Sequence, residues 1–206
     1  HQWIFSNEIQ TINGSPQNGE VVTLQSYSGK FLGKGFYNKN SLISFRLISN
    51  NDELIDKDYI YKKIIESDLR RILLFPSRKS YRVVNSESDF LPGLIIDRID
   101  NKFSFQIFSA GMELFKSDII EFLKNKFNAD YIVEKNINSL RLLEGLEEIE
   151  KVHLNNLQSD EFISEIDGIK YSINLLKGQK TGFYLDQSAS RRSEEHTSEL
   201  QSLTNL

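Results

Sequence analysis

The sequence predicts an α+β fold, a small β-barrel followed by a mixed α+β unit, on three observations. Residues 1–48 hold short β-branched or alternating runs, separated by Asn13-Gly14-Ser15-Pro16, Ser28-Gly29 and Gly33-Lys34-Gly35, the punctuation of an all-β module. A helical stripe follows and is stopped by Pro76. From Tyr81 onward, period-two runs surround one longer run of helical period, and Asp167-Gly168 marks a late hairpin. The 206 residues are 39% hydrophobic and 11% aromatic, enough apolar material for a buried core. No window approaches the roughly 18 apolar residues of a membrane span. The absence of cysteine excludes disulfides, thiolate metal sites and thiol nucleophiles from this stretch. With only three histidines, the expectation is a cytoplasmic protein without a metal. The chain opens at His1, so a preceding segment is expected.

Taken in order, Val21-Val22-Thr23-Leu24 and Leu42 to Ile48 read as strands of the first module. Asp56 caps a helix whose apolar stripe is predicted at Tyr61, Ile65, Leu69 and Ile72, with Lys62, Lys63, Glu66, Asp68 and Arg70 mostly opposite. Tyr81-Arg82-Val83-Val84 and Leu94-Ile95-Ile96-Asp97 are strands on either side of a polar loop with Asp89 and Pro92-Gly93. Asp100-Asn101 turns the chain into Phe103–Phe108, which alternates as a half-buried strand does. Met112, Phe115, Ile119, Phe122 and Leu123 form the stripe of a helix ending near Lys126. Tyr131–Glu134 completes the unit, and Glu161–Ile166 with Ile169–Ile173 form the hairpin.

Two segments hold candidate chemistry. Between Val21 and Asn51 there are four bases, Lys30, Lys34, Lys39 and Arg46, and no acid, interleaved with Tyr27, Phe31, Phe36 and Tyr37. Such a patch can neutralise phosphates while an aromatic face stacks an unpaired base. The same residues equally suit a small barrel with aromatics in its core and lysines in water. The second segment is Lys177-Gly178-Gln179-Lys180-Thr181-Gly182-Phe183-Tyr184-Leu185-Asp186-Gln187. It is not a P-loop, because Gly182 follows Lys180-Thr181 where that motif needs glycine before them. Two glycines flanking a Lys and a Thr suit a polar ligand loop, or an ordinary loop before a helix.

The tail differs in kind. Arg192 to Ser202 back-translates codon by codon into a sequencing-library adapter, so 192–206 is expected to be an artefact with no part in the fold. Ser193 to Leu206 holds Glu194, Glu195 and Glu199 and no base, so without it acids fall from 29 to 26 against 25 bases and the net charge moves from −4 to −1. A near-neutral chain makes no global electrostatic case for or against nucleic acid.

Several strings carry a resemblance when taken in order. They are Trp3 to Ile9; Gly29 to Gly35 with Asn38, Ser41 and Arg46; Arg82; Glu87 to Leu94 with Asp97; Arg141 with Glu144-Gly145-Leu146; and Gly178 to Phe183 through Leu185-Asp186-Gln187 to Arg191. Over residues 1–191 the chain resembles the class I S-adenosylmethionine-dependent large-subunit rRNA methyltransferases, the cytosine-C5 family with an N-terminal PUA domain. The resemblance implies a PUA-like RNA-binding domain at 1–75, a central α+β domain at 78–174, and the start of a Rossmann-like methyltransferase domain at 175–191. It implies large-subunit rRNA as partner, with RNA contacts at Lys30, Lys34, Phe36, Tyr37, Lys39 and Arg46. It implies S-adenosyl-L-methionine as cofactor, bordered by Lys180, Thr181, Gly182, Phe183, Asp186 and Gln187. The family's catalytic cysteine, whose thiolate attacks C6 of cytosine so that C5 can take the methyl group, has no counterpart in this chain. The chain by itself is therefore expected to be inactive and not to bind the cofactor. The alternative is a PUA module that binds RNA without chemistry. The role of Arg141–Gly145 stays open between a functional segment and a structural turn.

Overall fold

The structure is a computed structural model and describes residues 2–185. The expectations for Asp186, Gln187 and the 192–206 tail fall outside the described residues.

Strands β1 (Trp3–Phe5), β2 (Val21–Gln25), β3 (Phe31–Tyr37) and β4 (Ile43–Ser49) pair antiparallel in the order β1-β4-β3-β2. No ladder joins β1 to β2 among the described residues, so the closed barrel expected from the sequence is an open four-stranded sheet. Gly33, Lys34 and Gly35, expected to turn, lie inside β3.

Helix α1 (Lys57–Leu74) begins where Asp56 accepts a hydrogen bond from the Tyr59 amide at 3.0 Å, an N-cap that satisfies one orphan donor. Its buried side is Tyr59, Ile60, Ile64, Ser67 and Asp68, whereas Ile65, Leu69 and Ile72 of the predicted stripe are exposed. The inner face is thus rotated by about one residue from the expected one. It admits a carboxylate because Tyr81 donates its hydroxyl to Asp68 at 2.7 Å.

Strands β5 (Ser80–Asn85), β6 (Leu94–Ile99), β7 (Lys102–Ile107), β8 (Tyr131–Asn136) and β9 (Ile149–Asn155) form a sheet in sequence order. Strands β7 and β8 run parallel, joined by α2 (Ala110–Leu114) and α3 (Lys116–Lys126), the crossover that a parallel pair needs. The single helix expected there is broken at Phe115. A short α4 (Leu140–Leu143) links β8 to β9, and β10 (Glu161–Ile166) pairs with β11 (Ile169–Asn174). Their turn has Asp167 and Gly168 both at positive φ, +54° and +90°, as tight two-residue hairpins favour.

One face of the five-stranded sheet packs on α1 and α3 through Val83, Leu94, Ile96, Phe105, Ile119 and Phe122. Phe36 and Ile48 of the first sheet belong to the same core, so the apolar interior runs unbroken from the first module into the central unit. The opposite face, Ile99, Tyr131 and Val133, is covered by Ile166, Ile173 and Leu175, with Phe183 and Leu185 packed at the edge. Residues beyond β11 run through turns and bends across that face.

Candidate functional site

The period of a strand puts every second side chain on one face, and here that rule builds a row across the whole sheet. Arg82 of β5, Ile95 of β6, Gln106 of β7, Lys135 of β8 and Glu150 of β9 share the face opposite the helices. Ile95 stands directly across from Gln106, and Lys135 across from Glu150. These five form the floor of a cleft of about 520 Å³, roofed by Gly178, Gln179, Lys180 and Thr181 and closed at one end by Ile137 and Asn138.

The roof is a tight loop pinned at both sides. The Gly178 amide bonds the Asn174 carbonyl at 2.9 Å, and the Gly182 amide bonds the Gln179 carbonyl at 2.8 Å. A Cβ on Gly178 would lie 2.0 Å from the Gly182 carbonyl oxygen, so only glycine permits this closure. Thr181 is 2% exposed and donates to Asp97 at 2.5 Å. The same carboxylate accepts two bonds from Arg82, at 2.8 and 3.0 Å. Beneath the loop the Lys135 ammonium bonds both Glu150 and the Leu176 carbonyl. The cleft therefore offers cations and a carboxylate that are held in place by each other, with amides at Gln106, Asn138 and Gln179.

Of the cofactor residues expected from the sequence, Lys180 stands at the lip with its ammonium 4.5 Å from the Tyr184 ring centroid. The Thr181 hydroxyl is committed inward to Asp97, so it tethers the loop instead of facing the cleft. Gly182 is buried, and Phe183 packs edge-on against Tyr171 with ring centroids 5.2 Å apart. Nothing in the sequence alone singled out Arg82, Asp97, Lys135 or Glu150 for this site. The signal that could have found them is a charged residue in each of several otherwise apolar strands, a costly placement unless neighbouring strands supply partners.

The expected RNA patch is dispersed. Phe36 is 2% exposed, its ring against Gly111, where an added Cβ would approach to 2.0 Å. It is core, so the face expected to stack a base is not available to one. Tyr37 is buried as well, with an edge on a groove of about 300 Å³ that it lines with Ser6, Ile9, Thr11, Ile12, Lys39 and Ser44. Lys34 pairs with Asp52 at 2.8 Å and donates to the Glu53 carbonyl at 2.8 Å. Arg46 bonds Glu144 at 2.8 Å, lies 3.5 Å from Glu87 and stacks over Trp3 at 5.5 Å. Lys30 and Lys39 are exposed. They stand at opposite ends of β3, roughly 25 Å apart at the rise of a strand.

The Arg141–Gly145 segment is held inward by its own charged side chains. Arg141 is 1% exposed and bonds the carbonyls of Ile107 and Glu147 and the carboxylate of Glu113. Glu144 is 3% exposed; its carboxylate accepts from Asn38 at 2.8 Å, Arg46 at 2.8 Å and the Ala110 amide at 3.3 Å.

Residues 1–50 match the family model of a PUA-like domain. The chain is 37% identical over 193 residues to ribosomal RNA large subunit methyltransferase I of Vibrio cholerae, covering 93% of this chain and 49% of that protein. It is 34% identical over 194 residues to the protein of the same name from Shewanella amazonensis, with the same coverages. Its fold superposes with a TM-score of 0.74 on a SAM-dependent methyltransferase structure from Streptococcus mutans, at 23% identity, covering 93% of this chain and 49% of that one. A methyltransferase structure complexed with SAH gives the same TM-score at 22% identity. The chain thus spans about half the length of the relatives it matches, and across that half it is similar to large-subunit rRNA methyltransferases.

Proposed function

We propose that this chain is the RNA-handling part of an S-adenosylmethionine-dependent methyltransferase that modifies C5 of a cytosine in large-subunit rRNA. The observation that carries the reading is a similarity spanning both the PUA-like module and the roofed cleft, 37% over 93% of the chain. In this reading the first module holds structured RNA through the Tyr37–Lys39 groove, with Lys30 contributing charge. Lys34 and Arg46, bound in ion pairs, shape the module and do not meet phosphate. The cleft then receives the nucleotide to be modified.

The described residues suit one end of the cofactor. Lys180 and Gln179 can meet a carboxylate and Glu150 an ammonium, the complementary pair that a zwitterionic amino-acid end requires, whereas Ile95 and Ile137 offer no aromatic wall for an adenine. Bound in the intact enzyme, the cofactor supplies the electrophilic methyl group. This chain's own part is to hold the loop through Thr181, Asp97 and Arg82, and to keep the charges of the cleft paired until a ligand displaces them. Without cysteine the chain has no nucleophile for C6, so turnover is absent from this stretch alone.

Fluorescence anisotropy with a labelled large-subunit rRNA fragment, alongside calorimetry with S-adenosylmethionine, tests the reading. Salt-dependent RNA binding with no cofactor isotherm is the expected result. RNA affinity no better than that for an unrelated RNA of equal length would overturn it.

A further inference from the structure

We infer that Glu144 is a positioning residue that fixes the spacing between two RNA contact points, the groove of the first module and the cleft of the central sheet. The inference rests on the RNA-contact reading above and adds to it the residue that sets register. Glu144 caps the C-terminal end of α4, the short helix that starts just after Asn138 at the end of the cleft. Its carboxylate reaches the module at two places, Asn38 at the end of β3 and Arg46 on β4, and the central unit at the first amide of α2. Its backbone carbonyl takes a second bond from Asn38 at 3.0 Å. Asn38 lies between Tyr37 and Lys39, both of which line the groove. One nearly buried carboxylate therefore joins the residue beside one contact point to the segment beside the other.

The surroundings make this joint unforgiving. The Arg46 Nε is buried with no hydrogen-bond partner among the described residues, so that guanidinium relies on its bonds through the other nitrogens. Removing one partner of a buried pair leaves an uncompensated charge, which costs far more than the pair contributes. The neighbouring contacts, Phe36 on Gly111 and Gly19 on the Ala110 carbonyl, are steric, and the other carboxylate near Arg46, Glu87 at 3.5 Å, bonds Trp3 on β1 and not Asn38 beside the groove. Without it the module keeps its groove and its share of the common core, but Asn38, beside the groove, loses the carboxylate that ties it to the segment next to the cleft. An RNA gripped by the module would then meet the cleft in several registers.

The absence of cysteine makes a direct test available, because one introduced thiol is unique. Lys177→Cys, exposed beside the roof of the cleft, takes an iron chelate that cuts nearby RNA by hydroxyl radicals. In the full chain bound to a labelled rRNA fragment, cleavage is expected in one narrow window. Adding Glu144→Ala should at least double the width of that window while RNA affinity stays within about threefold. Glu144→Gln keeps an acceptor for Asn38 or Ala110 and should restore most of the narrow pattern, whereas general loosening of the fold would widen both alike. Should Glu144→Ala not fold, Asn38→Ser breaks the same joint from the module side and should widen the window too. An unchanged window in the variants that fold would overturn the spacing role alone. A parent chain that does not bind the RNA would overturn the functional reading on which it rests.

Discussion

The hydroxyl of Thr181 meets the carboxylate of Asp97 at 2.5 Å, across 84 residues of sequence. That one bond closes the roof of the cleft onto its floor, and Arg82 holds the same carboxylate from the other side.

Thr181→Val keeps the shape and removes the donor, leaving a buried carboxylate short of one partner. A cost of about 1–3 kcal/mol is expected, concentrated in the loop. Amide hydrogen exchange over residues 176–182 should accelerate tenfold or more, with the amides of β6 and β7 little changed. Uniform acceleration across the sheet would mean the bond supports the whole fold and not the roof.

Phe36 and Gly111 should be strongly coupled. Phe36→Ala empties a core site and is expected to cost about 3–5 kcal/mol. Gly111→Ala drives a methyl group into the ring and should cost about 1–3 kcal/mol. In the double variant the added methyl meets the space that the ring has left, so urea denaturation should give a loss smaller than the two single losses together. Strict additivity would contradict the contact.

High pH should act through buried tyrosines. Burial pushes Tyr59, Tyr81 and Tyr131 up to about 12, aided at Tyr81 by Asp68 and at Tyr131 by Asp160. The folded state therefore favours the protonated phenol over the unfolded state, where tyrosine titrates near 10. The stability this contributes is complete below pH about 10 and is lost as pH rises towards about 12. Phenolate absorbance should show a late, cooperative component that coincides with unfolding by circular dichroism. Tyr81→Phe should reduce the fall in stability over that interval.

The bases of the first module should separate by salt. Lys39→Ala and Lys30→Ala should weaken RNA binding and flatten its dependence on log salt concentration, by roughly 0.7–0.9 for each phosphate no longer neutralised. Lys34→Ala should instead cost about 1 kcal/mol or less in stability and leave the slope alone, as expected of a partly exposed ion pair. Equal slopes for all three would restore the dispersed patch to a single surface.

Much of the element order was legible from period and punctuation: the Asp56 cap, the stop before Pro76 and the Asp167-Gly168 turn are local signals that no tertiary contact overrides. The phase of α1 was not. Ile60 and Ile64 compete with Ile65 and Leu69, and the true inner face carries Ser67 and Asp68, the latter held by Tyr81 thirteen residues away. Strand β3 was obscured by its glycines, yet a Cβ on Gly35 would strike the Arg46 carbonyl, so that residue marks a close approach and not a bend. Strand β9 reads as polar because Glu150 and His153 have their partners, Lys135 and Glu134, on the strand beside it. Thr181 and Lys180 were singled out from their own loop. Arg82, Asp97, Lys135 and Glu150 join them only once five strands are laid side by side.

The shared interior of the first sheet and the central unit bears on how such proteins can be rearranged. Phe36 and Ile48 are nearly or wholly removed from water by residues outside the span that matches a PUA-like domain. Grafted onto another protein, that span would carry a bare apolar face seeking a groove with a glycine where Gly111 stands. Plug and socket therefore have to be moved together, and a chimaera joined near residue 50 inherits the cost of an unmatched joint.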